Sequence, residues 1–284
     1  SIEKQREIVK EYNTIVNRIT LNEQLNQKLE ETAQALYRHW FVDFEFPDKS
    51  GQPYKSSGGK MVYNQEFDKE IPDGWEVSQL SEFIDTSVGG DWGKESEIGN
   101  YVEKVKCVRG TDIPHFKLGA LTNAPTRFIL SKNLINKEVR ENNLIIEISG
   151  GSPTQSTGRT VLVSKDHLSS LSEPIVCSNF CRVLVLKSSN DARVFYSHID
   201  YLYRMDYLFT FENSTTGVKN FDLSSFLNEE LLVRPAVTII NRFNDVFDTI
   251  QTNILIKRQE INGLEKLNEM ILGKISFNIK EQVL

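Results

Sequence analysis

The sequence predicts an α+β protein in which one mixed α/β domain is carried by two long helices that pair as an antiparallel coiled coil. Near both ends of the 284-residue chain, apolar residues recur at alternating spacings of three and four. This heptad-like pattern is typical of helices that pair along a seam. Between them, short β-rich segments alternate with clusters of Gly, Asn, Pro and Ser, as in a domain of ordinary size.

Residues 1–46 are predicted to form the first helix, because no Gly or Pro precedes Pro47. Leu21 and Leu25 lie off the register of its seam. Two polar residues of the seam, Asn22 and Asn26, either face water or are buried as amides that fix the helix register. The predicted seam positions are Ile8, Tyr12, Ile15, Ile19, Asn22, Asn26, Leu29, Ala33 and Leu36.

Residues 47–75 are predicted to be a linker, because their Pro and Gly residues are incompatible with a continued helix. Residues 76–233 are predicted to be the mixed α/β domain, with helices near Ala192–Leu208 and Ser224–Asn228. Its predicted strands lie in the segments KVKCVRG, TRFILS, NNLIIEISGG, RTVLVS and CRVLVLK.

Residues 234–284 are predicted to form the second helix, with Pro235 in a first turn, where proline is tolerated. Because both helices join the domain at one end, paired seams must run antiparallel. The second seam comprises Ile240, Phe243, Phe247, Ile250, Ile254, Lys257, Ile261, Leu264, Asn268, Ile271 and Ile275.

The composition is that of an ordinary globular protein, with 39% hydrophobic and 25% charged residues. The sequence contains no run of about 18 apolar residues, so it predicts no membrane span. Cys107, Cys177 and Cys181 are an odd number of cysteines, which favours a reducing cytoplasm as the location. We expect buried thiols rather than a zinc site, because His115 and His167 are the only nearby histidines. The net charge of −6 is unfavourable for binding nucleic acid, but it is a sum over the whole chain. It does not exclude such binding, because one face of the protein can still be basic.

Motifs for catalysis are absent from the sequence. No Lys follows Asp or Glu by two positions, as a Mg²⁺-dependent nuclease would need. The chain also lacks GxGxxG, Asn-Pro-Pro-aromatic, GxxxxGK[ST] and HExxH strings. We therefore expect a chain that is not an enzyme and holds no metal.

Several segments resemble the specificity subunit of Type I restriction-modification systems. The central block ETAQALYRHWFVDFEFP, residues 31–47, is long enough to be specific, and GQPYKSSGGKMV and EIPDGWEV continue it. VRGTDI, NNLIIEISGGSPTQSTGRT and STTGVKNFDLSSFL are similar to recurring elements of that family's target-recognition domains. The segment 234–276 resembles its distal helix. The match covers essentially the whole chain.

The resemblance implies a subunit that recognises DNA and has no catalysis of its own. It implies docking to modification subunits, which methylate adenine with S-adenosylmethionine, and through them to restriction subunits. No cofactor is expected on this chain; S-adenosylmethionine and ATP with Mg²⁺ belong to the partners. A full subunit carries two recognition domains, so this chain, which has one and no initiator Met, resembles a C-terminal half, either a natural half-subunit or a fragment.

Candidate DNA contacts lie in Gly-rich or polar loops, where glycine allows close approach of the backbone. The alternative is that each loop is an ordinary solvated turn. The candidates are Lys94, Arg109, Lys117, Ser152, Thr154, Gln155, Thr157, Arg159, Thr215, Thr216, Lys219 and Asn220. His115 flanks the same region.

Partner contacts are expected at His39, Trp40, Phe41 and Phe44, with core packing the favoured interpretation of this aromatic segment. The runner-up function is a coiled-coil scaffold or decoy that binds the modification subunit without recognising DNA. A homodimer is expected because apolar residues exceed what a two-helix seam buries. Alternatively, a second recognition domain covers them. They are Ile2, Ile8, Val9, Leu264, Leu267, Met270, Ile271, Leu272, Ile275 and Phe277.

Overall fold

The computed structural model describes residues 2–121, 123–150, 154–215 and 218–283, and their side chains except those of 214, 215, 218 and 274–283. The chain divides into two compact units: a helical unit, Ser1–Thr32 with Thr249–Leu284, and a globular unit, Ala33–Asp248. None of the helices in the described residues combines the length and apolarity needed to span a membrane. The α-helices are α1 (Ile2–Tyr37), α2 (Leu80–Phe83), α3 (Ile113–Lys117), α4 (Ser131–Lys137), α5 (Lys165–Ser169), α6 (Ala192–Arg204), α7 (Leu223–Glu229) and α8 (Val237–Val283).

In the helical unit, α1 and α8 pair antiparallel. All predicted seam positions with described side chains are buried or half-buried, whereas Leu21 and Leu25 are exposed. Asn22 is 1% and Asn26 3% exposed, so these amides lie in the seam rather than in water. Across the pair, Arg18 Nε lies 2.7 Å from a carboxylate oxygen of Glu260. The predicted antiparallel pairing of the two long helices is confirmed.

The first helix ends at Val42 rather than at residue 46. Its last turn, Arg38–Val42, is π-helical, and the Asp43 amide donates to the Arg38 carbonyl at 2.9 Å. Phe44 then takes a left-handed conformation with φ of 61°, which stops the helix. In this conformation its ring packs edge-on against Trp75, at 6.0 Å between centroids. Aromatic packing therefore ends the helix before Pro47 does.

The globular unit contains five small sheets built from fourteen strands in the described residues. In sheet order, the strands are as follows: β1 (Met61–Asn64) with β2 (Lys69–Pro72); β10 (Ile175–Cys177), β5 (Tyr101–Val108) and β6 (Thr126–Leu130); β4 (Ile84–Gly89), β11 (Cys181–Leu186), β7 (Leu144–Glu147) and β9 (Thr160–Leu162); β12 (Glu212–Thr215), β13 (Val218–Phe221) and β8 (Ser149–Gly150); β14 (Leu231–Arg234) with β3 (Glu76–Gln79). Only β10 and β5 pair in parallel among these strands.

The predicted strand segments all form strands, and the two predicted helical segments become α6 and α7. The first and last strands of the predicted domain, β3 and β14, pair antiparallel from Glu76↔Arg234 to Gln79↔Leu231. The globular unit is larger than residues 76–233. It also includes the linker and the adjoining helix ends, since Phe41 packs on both Trp75 and Phe243.

The main core lies between β5, β7, β9, β10 and β11. It contains Val108, Ile145, Val161, Ile175 and Val183, all at most 3% exposed. The three cysteines are free and buried in this region, as predicted. Burial raises the pKa of the Cys107 and Cys177 thiols to about 12 and raises that of Cys181 further, so all three are protonated at neutral pH.

Candidate nucleic-acid interface

Three of the predicted DNA-contacting segments meet at one cavity of about 660 Å³ in the globular unit. Trp92 comes from the Gly89–Lys94 turn, Arg109 from the segment after β5, and Gln155 and Arg159 from the loop after β8. Ser149 and Gly150 line it as well, and they pair with Asn220 and Lys219 of β13. The fold therefore places segments far apart in sequence around one concavity, which we call the loop cavity.

A buried ion pair lies at the wall of the loop cavity. Both oxygens of Glu147, which is 2% exposed, accept from the Arg159 guanidinium, at 2.8 and 2.5 Å. The hydrogen bonds that Arg159 donates to Glu147 raise the pKa of Arg159. A Cβ at Gly110 would collide with the Glu147 carboxylate, so a larger residue there would displace this buried side chain. Glu147 thus links the segment after β5 to the loop after β8.

A second buried carboxylate, Glu212, holds the other side of the same loop. It accepts from the Thr157 amide at 2.5 Å and the Thr157 hydroxyl at 2.9 Å. It also lies 3.0 Å from the Lys219 ammonium, which in turn donates to the Gln155 carbonyl at 3.4 Å. Because charge-assisted hydrogen bonds are strong and directional, the described part of the loop is fixed at both flanks.

The rim of the loop cavity carries two exposed aromatic side chains. Phe180, 59% exposed, lies in the tight turn between β10 and β11, and Trp92 is 37% exposed. The Arg127 guanidinium lies 3.9 Å from the Trp92 ring centroid, a cation–π contact that fixes the indole. The Asp91 amide donates to the Cys177 carbonyl at 2.8 Å, which joins the two rim segments.

The predicted contacts do not include several side chains that shape this site, among them Trp92, Glu147, Asn179, Phe180 and Glu212. Trp92 lies in the Gly-rich turn Gly89–Lys94, of which only Lys94 is among the predicted contacts. Glu147 carried a signal, since a carboxylate at the end of the strand LIIE requires a buried partner. Phe180 also carried a signal, because an aromatic residue in the turn Ser-Asn-Phe between two strands indicates an exposed ring.

The predicted cations are mostly held by carboxylates. Arg109 donates to both oxygens of Asp112, which raises the pKa of Arg109, and also to the Asn123 carbonyl. Lys117 lies away from the loop cavity, with its ammonium 2.5 Å from an Asp200 oxygen. Lys94 is exposed, with its ammonium over the ring of Tyr101.

The predicted polar contacts differ in exposure. Thr154, Gln155 and Asn220 are exposed, whereas Thr157 is fully buried. Ser152 and Thr216 lie outside the described residues, as does the side chain of Thr215. DNA contact by each of these side chains stays a prediction.

The aromatic segment at the end of α1 packs mainly in the core of the globular unit. Trp40, Phe41 and Phe44 are each at most 7% exposed, and Trp40 packs on Phe243 at 6.0 Å between ring centroids. His39 is exposed. The favoured interpretation, core packing, agrees with this burial, and docking of a partner at these residues stays a prediction.

Across the described residues, no group of three or more His, Cys, Asp or Glu side chains is placed to hold a metal ion. The loop cavity instead combines exposed aromatic rings with amide side chains and guanidinium groups. These are the groups that form apolar contacts and hydrogen bonds with base edges.

The chain is similar in sequence to the Type I restriction enzyme MjaIX specificity subunit of Methanocaldococcus jannaschii, at 24% identity over 282 residues. That match covers 98% of this chain and 59% of the relative. No protein-family model matches the chain.

Solved structures are also similar to the chain. The Type I restriction-modification S subunit from M. genitalium superposes with a TM-score of 0.56 at 12% identity, covering 95% of this chain and 60% of that one. The HsdS subunit from Thermoanaerobacter tengcongensis matches at 16% identity with a TM-score of 0.44, covering 96% of this chain and 57% of that one. The chain thus spans about three-fifths of the length of these relatives. The resemblance predicted from the sequence is confirmed: the chain is similar to Type I specificity subunits and has the fold of the M. genitalium S subunit.

Proposed function

We propose that the globular unit binds duplex DNA in a sequence-dependent manner and that the face carrying the loop cavity is its contact surface. The observation that supports this most directly is the meeting of three predicted contact segments at one concavity. Loops held by the buried carboxylates Glu147 and Glu212 present a fixed set of groups to a ligand. A fixed surface suits recognition, because binding then costs little ordering of the protein.

We further propose that the chain has no catalysis of its own and directs adenine methylation by modification subunits, to which restriction subunits bind in turn. Under this proposal S-adenosylmethionine, ATP and Mg²⁺ belong to those partners. The similarity to a Type I specificity subunit supports the assignment. The exposed His39 and Val42 at the end of α1 are candidate positions for contact with a partner.

A binding experiment tests the DNA proposal. The chain, together with its modification subunits, is incubated with random duplexes, and bound DNA is recovered and sequenced at several salt concentrations. Enrichment of one sequence that persists as salt rises supports specific binding, since sequence-independent phosphate binding weakens steeply with salt. Gln155→Ala and Asn220→Ala change side chains that are exposed near the cavity, and we expect each to alter the enriched sequence. Lys60→Ala, in the exposed linker, is the control.

The second candidate function is a scaffold that binds modification subunits without recognising DNA. The compensation of charge favours it: Arg159, Lys117 and Lys219 are each paired with a buried carboxylate. Their paired charge is less available to phosphates. If the chain binds modification subunits but enriches no sequence at any salt concentration, the scaffold is the correct function.

A further inference from the structure

Three properties of the loop cavity together restrict what part of DNA contacts it. It is concave, its rim carries two large exposed aromatic side chains, and the arginine and lysine that flank its loop are neutralised by carboxylates. Exposed apolar surface of this kind indicates a binding partner with apolar groups.

A phosphate is a poor match for this rim. Phosphate binding requires cationic or N–H donors whose charge is available. The Arg159 guanidinium donates two hydrogen bonds to Glu147, and the Arg127 guanidinium lies on Trp92 and 3.1 Å from Glu95. The two cations that line the loop cavity, Arg109 and Arg159, are both bonded to carboxylates, so the aromatic rim matches the apolar part of a base edge better than the sugar-phosphate backbone.

In the major groove of unmodified DNA, the one apolar group on a base edge is the C5-methyl group of thymine. Resting on the proposed DNA-binding function, we infer that Phe180 and Trp92 contact the C5-methyl group of a pyrimidine, so that the half-site bound by this domain contains a thymine at the position facing the rim.

The surroundings of Phe180 suit this role. The tight turn that carries it is closed by a 2.9 Å hydrogen bond from the Cys181 amide to the Ser178 carbonyl. The neighbouring Asn179 is exposed on the same turn, with an amide that can bond an adjacent adenine edge. A Cβ at Gly90 would collide with the Ser178 carbonyl, so the Trp92 turn packs directly on the Phe180 turn. The two aromatic residues therefore belong to one fixed rim.

The test removes only the methyl group. A sequence enriched from random thymine-containing duplexes by the chain with its modification subunits is resynthesised with deoxyuridine in place of thymine, one position at a time. We expect one position at which deoxyuridine weakens binding about four-fold, which corresponds to about 0.8 kcal/mol for one buried methyl group. Phe180→Ala should lower this four-fold ratio, because only the Trp92 contact with the methyl group then remains.

Two controls separate this effect from a general loss of structure. Ile135→Ala removes another strongly exposed apolar side chain of the globular unit, one that does not line the loop cavity, and should keep the four-fold ratio. Phe180→Leu keeps an apolar contact and should keep part of the ratio. An enriched sequence that tolerates deoxyuridine at every position, or that lacks thymine, overturns the inference and leaves the proposed function standing. Failure to enrich any sequence overturns both.

Discussion

Among the side chains of the loop cavity, Glu147 is the one whose replacement we expect to lower the free energy of unfolding most, because it pairs with Arg159. The side chains of this pair are 2% and 12% exposed, so removing one charge leaves the other buried without its partner. We expect Glu147→Gln to lower the free energy of unfolding by about 3 kcal/mol. Urea unfolding at neutral pH followed by circular dichroism measures this loss.

Asp73→Asn provides the matched control for the Glu147 experiment. Asp73 lies 3.0 Å from the Lys60 ammonium, but these side chains are 47% and 74% exposed. Because water screens such a pair, we expect a loss of less than about 1 kcal/mol. Equal losses for the two variants would contradict the assignment of Glu147 as the residue that fixes the loops.

His167 makes the stability of the globular unit depend on pH. Burial lowers its pKa from 6.5 to about 4, although the backbone carbonyls of Phe116 and Lys117 partly offset this. Between these pH values the unfolded chain binds a proton that the folded chain does not. Stability is therefore fully present above pH 6.5 and falls as the pH drops towards 4, by about 3 kcal/mol.

The variant His167→Gln isolates this contribution, because it keeps a polar side chain at the end of the capping interaction with Ser164. Between pH 6.5 and pH 4, the free energy of unfolding should fall in both proteins. We expect the fall in the variant to be smaller than in the wild type by about 3 kcal/mol. Urea titrations at pH 7, 5.5 and 4 give the comparison. Parallel pH profiles for the two proteins would show that His167 is not the group responsible.

At the scale of secondary-structure elements, the seam asparagines lower the stability of the protein but define how α1 pairs with α8. Asn26 is 3% exposed, and its side-chain oxygen has no hydrogen-bond partner among the described residues. We expect Asn26→Leu to stabilise the protein by about 1–2 kcal/mol, since it removes a buried unpaired acceptor and adds apolar contact. Thermal unfolding measures the change.

Glu23→Leu, at an exposed position of the same helix, should change stability by less than about 0.5 kcal/mol. If Asn26→Leu is no more stable than this control, the Asn26 amide forms hydrogen bonds in solution.

A polar seam residue also limits alternative registers. Cysteine crosslinks introduced at Arg18 and Glu260 should therefore form in the wild-type background with higher yield than shifted pairs.

The helices and strands were predictable because their signals are local. Heptad spacing depends only on which residues lie three and four apart, and it located the seam from Ile8 to Ile271. Strands such as Thr126–Leu130 were bounded by turn residues. The end of the first helix was not predictable, because it depends on Phe44 packing against Trp75, a contact between distant parts of the sequence.

The composition of the site was only partly predictable for the same reason. The Gly-rich segments indicated where loops lie, and three of them meet at the loop cavity. Charge compensation was hidden, because the sequence does not show that Glu147 faces Arg159 or that Asp200 faces Lys117. The acidic net charge gave no indication either, since it is a sum over the whole surface.

At the scale of the whole molecule, the helical unit exposes more apolar surface than a pair of helices needs. The antiparallel pairing places the start of α1 beside the end of α8, and exposed apolar side chains occur on both helices there. They are Ile2, Val9, Leu267, Met270 and Leu272, each at least 44% exposed. Exposed apolar groups gathered on one element favour association with a partner.

We therefore predict that the chain forms a symmetric homodimer through this end of the helical unit. Light scattering should give a mass of twice 32.6 kDa, and the double variant Leu267→Lys/Met270→Lys should give the monomer mass, because charges replace apolar contact. Ile135→Lys, at a more exposed position in the globular unit, should remain dimeric. Two identical domains related by a two-fold axis bind inverted half-sites. The enriched DNA sequence should then be an interrupted palindrome, and a monomer mass at high concentration or an asymmetric split site would exclude the dimer.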